Sequence, residues 1–186
     1  MLSASPAEKM EMFRVISEKL SYTKCVPEDL SGTHIFLSLG SNLGERKAYL
    51  ENALELLQKN DFILLNVSSI YETAPVGCED GAGTFYNIAV EGTWRKDPYS
   101  LLSLCQKIEQ ELGRPADHAH WVSRVVDIDI ILFGGEKINS PALTVPHPLA
   151  LQRLFVMQPL AGIAPDLIFP GTGRKICDIC KDLAGI

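Results

Sequence analysis

No uninterrupted apolar run in the chain approaches the roughly 20 residues that a bilayer-spanning helix needs, so the sequence predicts no membrane segment. Glu8, Lys9, Glu11 and Arg14 interrupt the N-terminal stretch, which lacks the apolar core of a signal peptide. Both absences point to a cytoplasmic protein. A basic surplus is missing as well: 17 Lys and Arg stand against 23 Asp and Glu, a formal charge of -6 at pH 7. General nucleic-acid affinity rests on a basic surface that releases counterions. The charge argues against that function class, and any phosphate-bearing ligand must be held by local cations or metals. Nor is there a disulfide framework, since five cysteines without regular spacing fit reduced thiols. Cys177 and Cys180 form a single C-x-x-C; without a second pair or a nearby His, two helix-face thiols outweigh a zinc or redox site. Internal repeats and low-complexity tracts are absent.

What remains is ordinary for one soluble globular domain: 186 residues, 46% hydrophobic and 22% charged. Ser5-Pro6 starts a helix whose apolar positions Met10, Phe13, Val15, Ile16 and Leu20 predict an amphipathic segment over 5–20. Pro27 and Gly32 mark a linker, so residues 1–32 form a helical extension and 33–186 a single domain. Within that domain a strand around Ile35 to Leu39 leads into a turn at Gly40 to Gly44. A helix over 45–58 buries Leu50, Ala53, Leu54 and Leu57. A second strand spans 63–73, a surface loop reaches Thr84, and a third strand covers 85–94. Asp97-Pro98 caps a helix that ends at Gly113, and a long loop then feeds the last strand. Strand, helix, strand, strand, helix, strand predicts a ferredoxin-like α+β sandwich, an antiparallel sheet backed by two helices. A final helix around 175–183 packs on the core.

The last strand carries two carboxylates in apolar company. In Val125-Val126-Asp127-Ile128-Asp129-Ile130-Ile131-Leu132-Phe133 side chains alternate faces, so Asp127 and Asp129 point the same way, Cα atoms about 7 Å apart. An uncompensated carboxylate there would cost several kcal/mol, whereas Mg²⁺ is often held by one or two carboxylates plus substrate phosphates. Taken alone, the pair is equally compatible with solvated carboxylates on a half-exposed strand. Its apolar flanks favour a strand covered on both faces or opening onto a cleft. Arg124 stands just upstream, within reach of phosphates.

Several phrases then occur in one order: Leu39-Gly40-Ser41-Asn42-Leu43-Gly44, Ser68 to Gly77, Tyr86-Asn87-Ile88-Ala89-Val90, Ile108-Glu109, Asp127 to Gly134, and Leu143-Thr144-Val145-Pro146-His147-Pro148. Together they strongly resemble the 6-hydroxymethyl-7,8-dihydropterin pyrophosphokinase family of folate biosynthesis. The resemblance implies transfer of the terminal pyrophosphate of ATP to the pterin hydroxymethyl oxygen, releasing AMP, with two Mg²⁺ ions between Asp127, Asp129 and the phosphates. Arg124 would touch those phosphates, with Arg114 a further catalytic arginine of the loop. By the same resemblance Phe85 and Phe155 stack the pterin, while Asn87 and the backbone of Ala74, Pro75 and Val76 read its polar edge. Trp121 closes over the site. Gln106, Glu109, Ile130, Thr144, His147 and Arg153 would contact the nucleotide together with Arg124. ATP and the reduced pterin are thus the implied partners, with no nucleic acid and no membrane.

Without the resemblance these residues have plainer readings: core for the two phenylalanines, an exposed helix face for Gln106 and Glu109, a surface loop for His147. The chain also departs from the family. Ala116 and His120 stand where loop arginines are common, and Ala142 where a basic residue is frequent. Each lost cation could weaken transition-state charge stabilisation. A diverged pterin- or nucleotide-binding protein with weak or lost catalysis is therefore the alternative.

Overall fold

Alternation along one long strand divides the protein into layers. In the computed structural model, which describes residues 13–16, 19–22, 31–74, 83–113 and 125–186, strand β2 (Thr33–Ser41) runs through the middle of the sheet. Its Ile35, Leu37 and Leu39 face helix α1 (Arg46–Lys59) and helix α2 (Pro98–Glu111), meeting Leu50, Leu54, Leu57, Leu101 and Ile108 in one core. Phe36 faces the other way, toward Val156, Met157 and Leu160 of helix α3 (Leu154–Ile163) and Ile176 and Ile179 of helix α4 (Ile176–Ala184). Helices therefore cover the sheet on both faces, where the sequence predicted two helices behind it.

Around β2 the sheet is antiparallel throughout. Strand β5 (Phe85–Trp94) pairs along one side of β2 and strand β6 (Asp127–Phe133) along the other. Strands β3 (Ile63–Val67) and β4 (Ile70–Thr73) share the far side of β5, and β1 (Phe13–Ile16) closes the edge beyond β4. The order β4-β5-β2-β6 is that of the predicted ferredoxin-like α+β arrangement. A short hairpin of β7 (Ile138–Asn139) and β8 (Thr144–Val145) follows, with β8 against β6. Among the described residues no helix is long and apolar enough to cross a membrane.

Three sequence expectations need correction. The predicted strand over 63–73 is two strands, because Ser68 interrupts the backbone ladder: its Oγ accepts from the Ala89 N–H at 3.0 Å and donates to the Ser69 carbonyl at 2.7 Å. Gly40 and Ser41 belong to β2, not to a turn. Residues 13–16, placed in an amphipathic helix by their spacing, instead form β1 in register with Ile70 to Thr73. Pairing with the open edge of β4 outweighs local periodicity, as tertiary context commonly does. Residues 5–12, 17–18 and most of the predicted linker lie outside the described residues.

Candidate active site

Asp127 and Asp129 emerge where β6 leaves the core, and the register sets their neighbours. Asp127 lies opposite Gly40, which lies opposite Asn87, which lies opposite Tyr71. One row thus runs across four strands on the α3 side of the sheet. The next row carries Asp129, Ser38 and Ala89. Ile128 and Ile130 point to the opposite side, into the core under α1 and α2, which is why the aspartates can stay at the surface of so apolar a strand.

The outer edge of β6 is satisfied by groups from two directions. The buried Glu109 of α2 accepts from the Ile128 N–H at 2.8 Å, so its carboxylate holds the backbone between the two aspartates. The His147 N–H donates to the Ile131 carbonyl at 3.1 Å, and this seats His147 beside the same strand. Its Nδ1 accepts from the Leu149 N–H at 3.2 Å, leaving Nε2 to carry the proton of the neutral ring. Nε2 lies 3.9 Å from Asp129 Oδ2, and Arg153 Nη1 lies 3.9 Å from that oxygen too. Burial first, and the Arg153 charge second, push the His147 pKa below the ordinary histidine value, against an opposing pull from Asp127. His147 is therefore a neutral donor at neutral pH, and Arg153 carries the positive charge beside Asp129.

At the other end of the row, Asn87 is buried and donates through Nδ2 to Thr73 Oγ1 at 2.8 Å. That bond turns Asn87 Oδ1 toward Gly40, where a Cβ would come within 3.1 Å of it and 3.8 Å of Phe85. The glycine keeps this part of the sheet surface low, with half-buried Phe85 beside it; Ala74, just after Thr73, is half-buried as well. Phe155 is half-buried at the start of α3, with the Arg153 guanidinium 5.6 Å from its ring centroid.

Among the described residues no three His, Cys, Asp or Glu side chains cluster as a protein-only metal cage. Two carboxylates on one strand face, with hard oxygen donors only, do suit Mg²⁺, which keeps waters and takes further oxygens from a phosphate substrate. Of the sequence-predicted residues, the structure brings Asp127, Asp129, His147 and Arg153 together and places Asn87 and Phe85 on the same sheet face. Half-buried Thr144 sits in β8, beside β6. Gln106 and Glu109 do not share an environment, since Gln106 is exposed and Glu109 buried, and the Ile130 side chain lies in the core away from the aspartates. Pro75, Val76, Arg114, Trp121 and Arg124, like Ala116 and His120, lie outside the described residues, whereas Ala142 is exposed.

Sequence reasoning missed Thr73 and Gly40 as parts of the site. Both lie in phrases that carry the resemblance, but their roles depend on which residue faces them across the sheet, and a single sequence does not display register.

Comparison with known proteins bears on the same geometry. Residues 36–165 match the family described as 7,8-dihydro-6-hydroxymethylpterin-pyrophosphokinase (HPPK). The 2-amino-4-hydroxy-6-hydroxymethyldihydropteridine pyrophosphokinase of Bacillus subtilis is 48% identical over 129 residues, 69% of this chain and 76% of that protein. The protein of the same name from Porphyromonas gingivalis is 42% identical over 134 residues, 70% of this chain and 90% of its own length. A folic acid synthesis protein, fol1, of Schizosaccharomyces pombe is 35% identical over 91% of this chain, which spans 23% of that longer protein. Among solved structures, Plasmodium falciparum HPPK-DHPS with pteroate superposes with a TM-score of 0.67 at 17% identity, covering 86% of this chain and 47% of that one. At that identity the likeness concerns the fold.

Proposed function

Because the chain belongs to the 7,8-dihydro-6-hydroxymethylpterin-pyrophosphokinase family, a family of folate synthesis, we propose that its two ends of one sheet row divide the work between pterin and ATP. The observation that carries this reading is the register: Asn87, Gly40 and Asp127 lie side by side across β5, β2 and β6. Strands are spaced about 4.8 Å apart, so a bicyclic ring held at Asn87 can reach across the glycine to phosphate held at the aspartates. In the reaction the pterin hydroxymethyl oxygen bonds to the β-phosphorus of ATP, the bond from that phosphorus to the α-phosphate oxygen breaks, the hydroxyl proton is released and AMP leaves.

Asp127 and Asp129 are the residues to hold two Mg²⁺ ions, which when bound would neutralise phosphate charge and align the attacking oxygen. Arg153 adds a fixed cation beside Asp129, and neutral His147 presents an N–H there without adding charge. Glu109 keeps the aspartate-bearing backbone in place. Asn87, oriented by Thr73, reads the polar edge of the pterin; Phe85 and Phe155 offer faces for offset stacking. The backbone of Ala74, Pro75 and Val76 and the side chain of Trp121 complete the pterin contacts. Arg114, Arg124, Gln106 and Thr144 belong to the nucleotide side, and Ile130 to it through its backbone, since its side chain lies in the core. Residues 33–186 carry all of these catalytic and binding residues, with β1 completing the edge of their sheet, and the free thiols of Cys105, Cys177 and Cys180 support a cytoplasmic location.

Incubation with ATP, Mg²⁺ and the reduced pterin tests the reading. AMP should form in equal amount to pyrophosphorylated pterin. ADP formation, or tight binding of both substrates without AMP, overturns it.

A further inference from the structure

We propose that Arg46, the first residue of α1, is a positioning residue for the pterin subsite. Its Nη1 donates to the Thr84 carbonyl at 2.8 Å, to Thr84 Oγ1 at 2.6 Å and to Glu72 Oε1 at 3.1 Å. Thr84 Oγ1 in turn donates to Glu72 Oε1 at 2.7 Å, closing a small network. The central carbon of the guanidinium also lies over the Tyr86 ring, 3.8 Å from its centroid. Glu72 and Tyr86 are register partners across β4 and β5, flanked by the pairs Thr73 with Phe85 and Tyr71 with Asn87.

Alternation along these strands puts the network on the α1 side of the sheet, directly behind Thr73, Phe85 and Asn87 on the other side. Arg46 therefore grips the backs of the two strand ends whose fronts form the proposed pterin contacts. The Thr84 carbonyl belongs to the peptide that leads into Phe85, so fixing it fixes where the Phe85 side chain starts. The grip is mounted on a rigid element, since Leu50, Ala53, Leu54 and Leu57 anchor α1 in the core. It is also electrostatically complete: Thr84 first, and then Arg46, hold the Glu72 carboxyl below the usual carboxylate range, with Arg14 of β1 adding to the effect. A planar guanidinium can lie over Tyr86 while its two Nη1 hydrogens are shared among the Thr84 and Glu72 oxygens in a fixed geometry, which a flexible ammonium reproduces only in part.

The proposal rests on the pterin reading of Asn87, and the experiment separates the two. Pterin KM, ATP KM, kcat and Tm are measured for the wild type and for Arg46→Ala, Arg46→Lys, Thr84→Val and Asn87→Ala. Arg46→Ala should raise the pterin KM about tenfold, the factor expected when hydrogen bonds to a charged group are lost, and leave the ATP KM within about twofold. Arg46→Lys should recover part of the loss. An unchanged pterin KM in Arg46→Ala, alongside a raised one in Asn87→Ala, overturns the positioning role. So does a parallel loss of both KM values with Tm, which marks general destabilisation. If Asn87→Ala leaves the pterin KM unchanged, the reading of the subsite itself fails. Should Arg46→Ala not fold, Thr84→Val, which removes the hydroxyl shared by Arg46 and Glu72, must raise the pterin KM alone; no change there overturns the proposal.

Discussion

At the scale of single residues the site depends on absences as much as on functional groups. Gly40 has an ordinary backbone, with no positive φ, so its substitution by Ala carries no conformational strain. The added Cβ would instead press on Asn87 Oδ1 from 3.1 Å, and the buried amide must turn or its bond to Thr73 must lengthen. Gly40→Ala should therefore weaken pterin binding about tenfold, measured by calorimetry, with Tm nearly unchanged; equal affinity would mean that the space over Gly40 is not used. Thr73→Val removes the acceptor for Asn87 Nδ2 in a buried setting, where an unsatisfied polar group costs about 1–3 kcal/mol, and should reduce both stability and pterin affinity. Asp127→Ala and Asp129→Ala should each nearly abolish AMP formation while leaving the fold intact by circular dichroism, because both carboxylates stand at the surface rather than in the core. Retained turnover in both would remove them as metal ligands. The aspartates, Asn87 and His147 stand out in the sequence as candidates because each sits in a short ordered phrase, and Arg153 follows shortly after the last of them. Gly40, Thr73 and Arg46 do not, since what they do is set by neighbours far away in sequence.

Elements were legible where local signals and tertiary packing agree. For α2, Asp97 accepts from the Tyr99 and Ser100 N–H groups and Pro98 opens the helix, as the Asp-Pro phrase predicts. In α3 they conflict: Pro159 lies inside the helix, a position that sequence patterns treat as a break, yet burial of Val156, Met157 and Leu160 against the sheet holds it. The junction of β4, β5 and α1 gives an acid-dependent prediction. Glu72 has a lowered pKa in the folded protein, so the unfolded chain binds more protons in the window below 4.5, and stability there rises with pH. Its contribution is present above that value and is lost as pH falls through the folded pKa. Chemical denaturation should accordingly show wild type more stable than Glu72→Gln at pH 7, with the gap closing as the pH is lowered toward 3. A gap independent of pH would mean that the carboxylate charge contributes nothing to the junction.

On the scale of the whole molecule, the part of the chain outside the family match is not an appendage. β1 lies before residue 36, where the match begins, and it supplies the strand that covers the open edge of β4. Ile16, Leu20 and Tyr22 pack on the core beside α1, and the Ser21 N–H donates to Glu51 at 2.6 Å. Removing residues 1–22 would leave β4 as an edge with unpaired N–H and C=O groups, the condition that invites association between copies. It would also remove three apolar side chains from the core surface, each contributing at most about 1.5–3 kcal/mol when fully buried. Since these three are only partly buried, a net loss of about 2–3 kcal/mol is expected, which for a domain of this size lowers Tm by roughly 5–10 °C. Because β4 carries both Thr73 and Glu72, the pterin KM should rise more than the ATP KM. Scanning calorimetry, light scattering and initial rates on the truncated chain check the three effects together. Unchanged Tm and monodispersity would show that β1 merely rests on the sheet, whereas lost stability with an unaltered pterin KM would confine its role to covering the edge.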